Sequence, residues 1–519
     1  MSDQTSKRPN ILFITSDQQR GDCYGFAGRG VQTPHLDGLA RDGTRLKSCI
    51  TPNPVCMPAR ASILTGMLPL SHGLVDNGFD LNETLAERGW GGTLSKSGYD
   101  TASIGKAHLS AKRTLKATGR PECRHSSPDY PEDWCGPYMG FDHVELMVHG
   151  NLHRSRPPDR PPSGQHFERW FFSRGKGDEA YESWAGMRDD GNPTPKTWHS
   201  TLPPAWHSST WVGDRAIERI KNRDANKPFA LWVSFVDPHY AFDCPLPWSL
   251  LHDPETVAIS QTHCLNYDGR PWYHRASMES TPQAPDPEEQ KWRLQGSRMD
   301  TLTDRQLRKL TANYFGMISL IDHNVGRILS VLQDEGLEDN TLVVYTSDHG
   351  DLLGDHGHYQ KGPMPYEGLI NVGAVVRGPG VKAGQVVDKP TSTLDFAETF
   401  YDYAGASARN EGQGRSLRTL LEGRDETRDA AYAEWRMMPY RTGIELDLRI
   451  VRTARYTMAV DLLTGAGELY DNQEDPLQYH NLFDDPGTAA VRRELQDMLH
   501  ARSGPLLTEF GEMSAPGGS

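Results

Sequence analysis

The sequence predicts an α/β fold with a mostly parallel central sheet, on three observations. Four short, β-rich apolar runs recur: Ile11 to Thr15, Thr101 to Ile104, Phe229 to Val236 and Thr341 to Thr346. Their near-continuous apolarity suits strands covered on both faces, as in parallel sheets. Helical patterns lie between them, such as "LDGLARDG" and "ANYFGMISLIDHNVGRILSVLQDEG", and strand–helix alternation is the α/β signature. Each apolar run also ends in a polar cluster: "SDQQRGD", "GKAHLS", "DPHYAF" and "SDHGDLLGDHG". In such sheets ligands gather at the carboxyl ends of the strands.

The chain has 519 residues, room for one large catalytic unit and a smaller appendage. We expect the large unit over 1–420, with insertions at about 110–210 and 240–300. The first insertion is rich in Pro, Arg, His and Trp (Trp134, Trp170, Trp184, Trp198, Trp206) and has no clear period. It is expected to cover the site or to make contacts in a homo-oligomer, its rings serving either to stack on an aryl or sugar face or simply to pack. Residues 421–519 carry shorter segments such as "LRIVRTARYTMAVDLLTGAGELYDN". These read as a small α+β subdomain with an antiparallel sheet.

Net charge is −14, which argues against a nucleic-acid partner and requires a local cationic pocket for any anionic substrate. No run approaches the roughly 20 apolar residues of a membrane span, and the N-terminus lacks a secretory apolar core. Seven scattered cysteines in no metal-knuckle or redox spacing point to a reducing cytoplasm.

Two strand-end dipeptides, Asp17–Gln18 and Asp348–His349, offer three side-chain oxygens and an imidazole to a divalent cation. Taken singly, each reads equally as a loop cap. Cys56 alone would be a small buried hydrophobe. It stands, however, in "NPVCMPARASILTG", which contains C-x-P-x-R.

That motif, with "PNILFITSDQQRGD", "TPHLDGLARDGTRL", "GYDTASIGKAHL", "SDHGDLLGDHG" and "ELYDNQEDPLQYHNL", resembles the formylglycine-dependent sulfatases of the alkaline phosphatase superfamily. Phosphonate monoester hydrolases are neighbours. His35 replaces the usual Asn of the second segment. The resemblance implies an alkaline-phosphatase-like mixed, mostly parallel sheet sandwiched by helices. It also implies a modifying enzyme that converts Cys56 to formylglycine, whose hydrate attacks sulfur through one hydroxyl and expels sulfate through the other.

Position by position, the resemblance assigns Asp17, Gln18, Asp348, His349 and the oxygen at position 56 to one divalent metal, calcium, with manganese as the alternative. Arg60 would stabilise the hydrated nucleophile, and Lys106 would bridge it to sulfate. His108 would accept a proton from its second hydroxyl. His239 would protonate the leaving oxygen, although Ala241 stands where the family often has proline. Lys361 would hold sulfate beside the leaving group. Asn77 is a candidate substrate contact or a turn residue. The expected reaction is hydrolysis of a small aryl, alkyl or sugar sulfate. The alternative is a phosphonate monoester or phosphate diester hydrolase, which "GKAHLS" disfavours.

Overall fold

The computed structural model describes residues 8–515 except 149, 151–158, 174–193, 201, 285, 298–300 and 512. Trp184 of the Trp-rich insertion therefore lies outside the described residues.

The four apolar runs become four adjacent parallel strands. They are β1 (Asn10–Ser16), β3 (Asp100–Lys106), β5 (Phe229–Ser234) and β6 (Thr341–Ser347), adjacent in the order β6-β1-β5-β3. β1 pairs in parallel with both β5 and β6, Phe13 standing between Trp232 and Val344. Residues of β1 are buried without alternation because helices cover both faces. The parallel β4 (His143–Met147) closes one side. Beyond β6 come the antiparallel β7 (Ala374–Arg377), then β2 (Thr44–Leu46) and β8 (Gln385–Val387). The sheet is mixed and mostly parallel.

Helices α1 (Pro34–Arg41), α4 (Ser208–Lys221) and the 31-residue α5 (Asp304–Asp334) cover one face. α5 starts with a capping box in which Thr303 and Gln306 satisfy each other's backbone donors. The other face packs on α2 (Cys56–Thr65), α3 (Trp90–Lys96) and α6 (Asp395–Ala404). There Phe13 meets Trp90, Trp232 and Phe400 at ring distances of 5.3 to 6.1 Å. Burying such rings supplies much of a core's stabilisation.

In the C-terminal region β9 (Ala430–Met437), β10 (Leu446–Thr453), β11 (Tyr456–Asp461) and β12 (Gly467–Asp471) form an antiparallel meander, backed by α7 (Ala489–His500). It is attached directly to the segment before Cys56. Glu434 on β9 donates its backbone N–H to Pro52 and accepts from the Asn53 amide at 2.6 Å.

Tryptophans of the first insertion pack on protein rings. Trp134 lies against Tyr130 and His166, Trp170 stacks on Phe167, and Trp206 meets Phe171 edge-on.

Candidate active site

Site residues enter from the carboxyl ends of β1, β3, β5 and β6 and from the start of α2. Three non-glycine residues there, Gln18, His108 and Gln360, have φ values of 69°, 52° and 62°. Such left-handed backbone costs about 1–3 kcal/mol each and persists where surrounding structure enforces it.

Cys56 is the first residue of α2, and its backbone partners explain the local fold. Asn53 Oδ1 accepts from the N–H of Val55, and Asn77 Oδ1 accepts from the N–H of Met57. Both satisfy donors that a helix start leaves orphaned. The position-56 side chain therefore sits at the positive end of a fully buried helix. Arg60, one turn on, shares its face. Its Nε donates to Asp348 Oδ2 at 2.8 Å, and one terminal nitrogen donates to Lys106 O at 2.7 Å and Ser234 Oγ at 2.6 Å. The other faces Asp17 Oδ2 at 3.5 Å.

Asp17, Cys56, Asp348 and His349 are solvent-inaccessible. Each places a ligand atom within 4.8 Å of those of the others. His349 Nδ1 faces the Gly350 carbonyl at 2.8 Å, so this nitrogen carries the proton. Nε2 then faces the cluster, 3.2 Å from the Cys56 sulfur, and in the neutral ring presents a lone pair to it. Gln18 is oriented in the same manner. Its Nε2 donates to Asp351 Oδ2 at 2.5 Å, leaving Oε1 buried without a hydrogen-bond partner. A buried orphan oxygen beside two carboxylates and an imidazole fits a divalent cation.

Charge in the pocket is strongly coupled. Burial and the Asp17 carboxylate push the Asp348 acid upward, against His349 and Arg60. For Asp17, burial and Cys56 oppose ionisation, but Lys106, His239 and Arg60 outweigh them and hold it below the usual carboxylate range. Burial also resists a Cys56 thiolate, yet Lys106, Lys361 and His349 hold its pKa well below the ordinary thiol value.

Lys106 bonds Asp17 directly. Lys361 Nζ lies 2.7 Å from the Cys56 sulfur and 3.3 Å from His239 Nε2. His239 Nδ1 is held by the Tyr240 carbonyl at 2.7 Å. Burial and Lys361 bring the His239 pKa down to about 4. His108 is buried with no hydrogen bond at either ring nitrogen, and burial and Lys106 keep it neutral. The residues expected from sequence converge here, Asn77 through its amide oxygen, which accepts from the backbone N–H of Met57 beside Cys56 at 3.0 Å.

Sequence reasoning missed several supporting groups. Asp351, which fixes Gln18, lies in the quoted "SDHGDLLGDHG", and its position three after Asp348 is the signal that could have exposed it. Glu122 is buried and accepts the backbone N–H groups of His108, Leu109 and Ser110 at 2.7, 3.1 and 3.1 Å. It also accepts from Tyr138 Oη at 2.9 Å. Nothing in the surrounding "GRPECRHSS" marks it. Lys112 is half-buried, and desolvation with the neighbouring Lys106 and Arg113 lowers it to about 7.

A sulfatase family profile matches residues 9–406. The chain belongs to the sulfatase family. A second profile, the C-terminal region of N-sulphoglucosamine sulphohydrolase, matches residues 354–504. An arylsulfatase of Clostridium perfringens is 30% identical over 492 residues, covering 92% of this chain and 90% of that protein. An N-acetylglucosamine-6-O-sulfatase of Bacteroides thetaiotaomicron is 27% identical, covering 96% of this chain and 86% of its own. Among solved structures, a phosphonate monoester hydrolase of Agrobacterium radiobacter superposes with a TM-score of 0.74 at 26% identity, covering 95% of each chain. The sulfatase is thus a sulfuric ester hydrolase by family, with a structural neighbour that acts on phosphonates.

Proposed function

We propose that this sulfatase hydrolyses the sulfate monoester of a small phenol, alcohol or sugar. The observation that carries the reading is the position of residue 56. Its sulfur touches the acidic cluster through His349 and the cationic pair through Lys361. A group at this position can therefore meet both a metal and an oxyanion. When present, formylglycine made from Cys56 by a modifying enzyme supplies the nucleophile, and a divalent cation supplies Lewis acidity. Asp17, Gln18, Asp348 and His349 would hold that cation. We assign calcium, which suits the oxygen donors, with manganese as the second choice because of the imidazole.

The chain's own groups do the rest. Arg60 and Lys106 neutralise the buried carboxylates and hold position 56 in place. Lys361 and Lys106 supply fixed positive charge to the sulfuryl oxygens as negative charge grows on them. His108, neutral and with both ring nitrogens open, receives a proton from the hydroxyl at position 56. His239 serves the leaving oxygen from Nε2. Taking up a proton there puts a second charge beside Lys361, which the incoming sulfate monoanion offsets. A cytoplasmic location accompanies this reading, supported by seven cysteines that are all unpaired.

The phosphonate monoester or phosphate diester reading is favoured by the Agrobacterium neighbour. Sulfate is preferred because Lys106 and His108 add bulk, and Lys106 positive charge, beside position 56, where a phosphonate's carbon substituent needs room. The deciding experiment compares kcat/KM for an aryl sulfate and for the matching phenylphosphonate monoester. The sulfate should be the better substrate, and replacing Lys106 and His108 by small neutral residues should reduce its turnover more. A wild-type preference for the phosphonate would promote the second reading.

A further inference from the structure

A cavity of about 410 Å³ lies at the β2–β7 side of the sheet, and none of the site residues described above lines it. Its size falls within the range of small-ligand pockets, about 300–1,000 Å³. Arg45 lines it. On β2, Arg45 stands opposite Val375 and Val386, and Val375 belongs to the apolar layer that also contains Tyr24 and Leu36. The guanidinium thus stands near the sheet edge, between a buried valine and an exposed one.

The surroundings of Arg45 are arranged as a stack. Its guanidinium carbon lies 4.4 Å from the centroid of Phe26, and Phe26 stacks on Tyr24 at 4.9 Å with an 11° interplanar angle. Arg45 Nε is buried with no hydrogen-bond partner. Among the described residues no carboxylate pairs with this guanidinium. The acids on the cavity wall are engaged elsewhere. Asp22 pairs with Arg20 and Arg29, Asp355 with Arg20, and Glu367 with Arg452. Arg45 as a whole is half-buried, but a shielded Nε donor left without an acceptor is costly. Beside a cavity of this size, the chemistry that relieves it is an anion accepting from the guanidinium edge.

We propose that this cavity is a second, non-catalytic binding site for a small oxyanion, a carboxylate, sulfate or phosphate group, gripped by Arg45 on the Tyr24–Phe26 platform. The volume exceeds that of one oxyanion, so an organic ligand whose flat body fills the remainder is preferred over the inorganic ion. The site also adjoins the catalytic centre through Arg20. That side chain lines the cavity and donates to the carbonyls of Asp351 and Leu352 at 2.9 and 3.0 Å, and Asp351 in turn orients Gln18.

The test is isothermal titration of the metal-loaded enzyme with benzoate and, separately, with inorganic sulfate. Sulfate should occupy two sites, and the Lys361→Ala variant should keep the second. Arg45→Met should weaken that second site at least about tenfold, the loss expected for a charge-assisted hydrogen bond. Its kcat/KM for nitrophenyl sulfate, measured without added anion, should stay within about twofold of wild type. Arg45→Lys, which retains charge but not the planar fork, should fall between and guards against a folding defect in Arg45→Met. Tighter binding of benzoate than sulfate identifies an organic occupant, and equal binding identifies the free ion. A single sulfate site in the wild type, or wild-type binding of both anions by both Arg45 variants, overturns the proposal.

Discussion

Arg60 and Asp348 are 288 residues apart in sequence, yet Arg60 Nε donates to Asp348 Oδ2 at 2.8 Å with both side chains inaccessible to solvent. The pair joins the nucleophile helix to the end of β6. Removing one partner of a buried pair strands the other, at a cost of about 3–5 kcal/mol. Arg60→Ala should lower the denaturation midpoint accordingly. Arg60→Lys should recover part of that loss, because it keeps the charge but cannot serve Asp348, Lys106 O and Ser234 Oγ together. Unchanged midpoints in both variants would show that the ion pair contributes nothing to folding.

Asp351 decides which end of the Gln18 amide faces the cluster, since only a carboxylate there obliges the –NH₂ end to turn away. Asp351→Asn can accept that same hydrogen bond with its own oxygen or donate with its nitrogen, so the orientation is no longer enforced. Metal affinity should fall about 10–100-fold, as for other groups that orient metal ligands. Metal content after dialysis, measured by elemental analysis beside Asp348→Ala as the complete-loss control, reads this directly.

Cys56→Ala should abolish turnover and leave the fold intact, since a small buried residue replaces another. Cys56→Ser offers a hydroxyl that can attack sulfur but no second hydroxyl on the same carbon to expel sulfate. It should therefore trap a sulfated serine, visible by intact mass spectrometry, after at most one turnover. Sustained turnover by pure Cys56→Ser enzyme would refute the two-hydroxyl mechanism.

Glu122 holds the backbone of residues 108 to 110 and so positions His108. Glu122→Gln replaces one accepting oxygen with a donor that must face a backbone N–H. We expect kcat to fall about tenfold or more, with KM and metal content near wild type. In a His108→Ala background the same change should cost little further, because both act through one imidazole. Full additivity would show that Glu122 acts elsewhere.

His72 links pH to stability. It is buried, its Nδ1 accepts from the N–H of Leu74 at 3.1 Å, and its Nε2 faces Ser62 Oγ at 3.0 Å. Protonating Nδ1 would break the first bond, and burial lowers its pKa to about 3. The unfolded chain, with a pKa near 6.5, takes up that proton first. Stability from His72 is therefore complete above about pH 6.5 and is lost as pH falls toward 3, by about 2 kcal/mol between pH 7 and 5. His72→Gln should be less stable at pH 7 but show a shallower decline, by denaturant unfolding at the two pH values. Parallel declines would exclude His72 as the source.

Much of this architecture is written locally. Unbroken apolar runs such as Ile11 to Thr15 must be covered on both faces, so their period alone announces a parallel sheet. The dipeptides Asp17–Gln18 and Asp348–His349, the C-x-P-x-R motif and the G-K-x-H segment name the chemistry, because each keeps its reactive groups within a few residues. The spacing of Cys56 and Arg60 is one helical turn, so even their shared face can be read from the chain. What the sequence leaves open depends on contacts between distant segments. Glu122 becomes an anchor only when its carboxylate meets three N–H groups of another loop, and Asp351 matters through one bond to Gln18. Asn77 is drawn to the start of α2 by an orphan backbone donor that no motif records. Arg45 sits in a three-residue strand with no pattern of its own. Its packing on Phe26, without a carboxylate partner, follows from how the sheet edge meets the loop after β1. Hydrogen bonds and charge compensation at such points are fixed by three-dimensional proximity, and only the tertiary structure decides them.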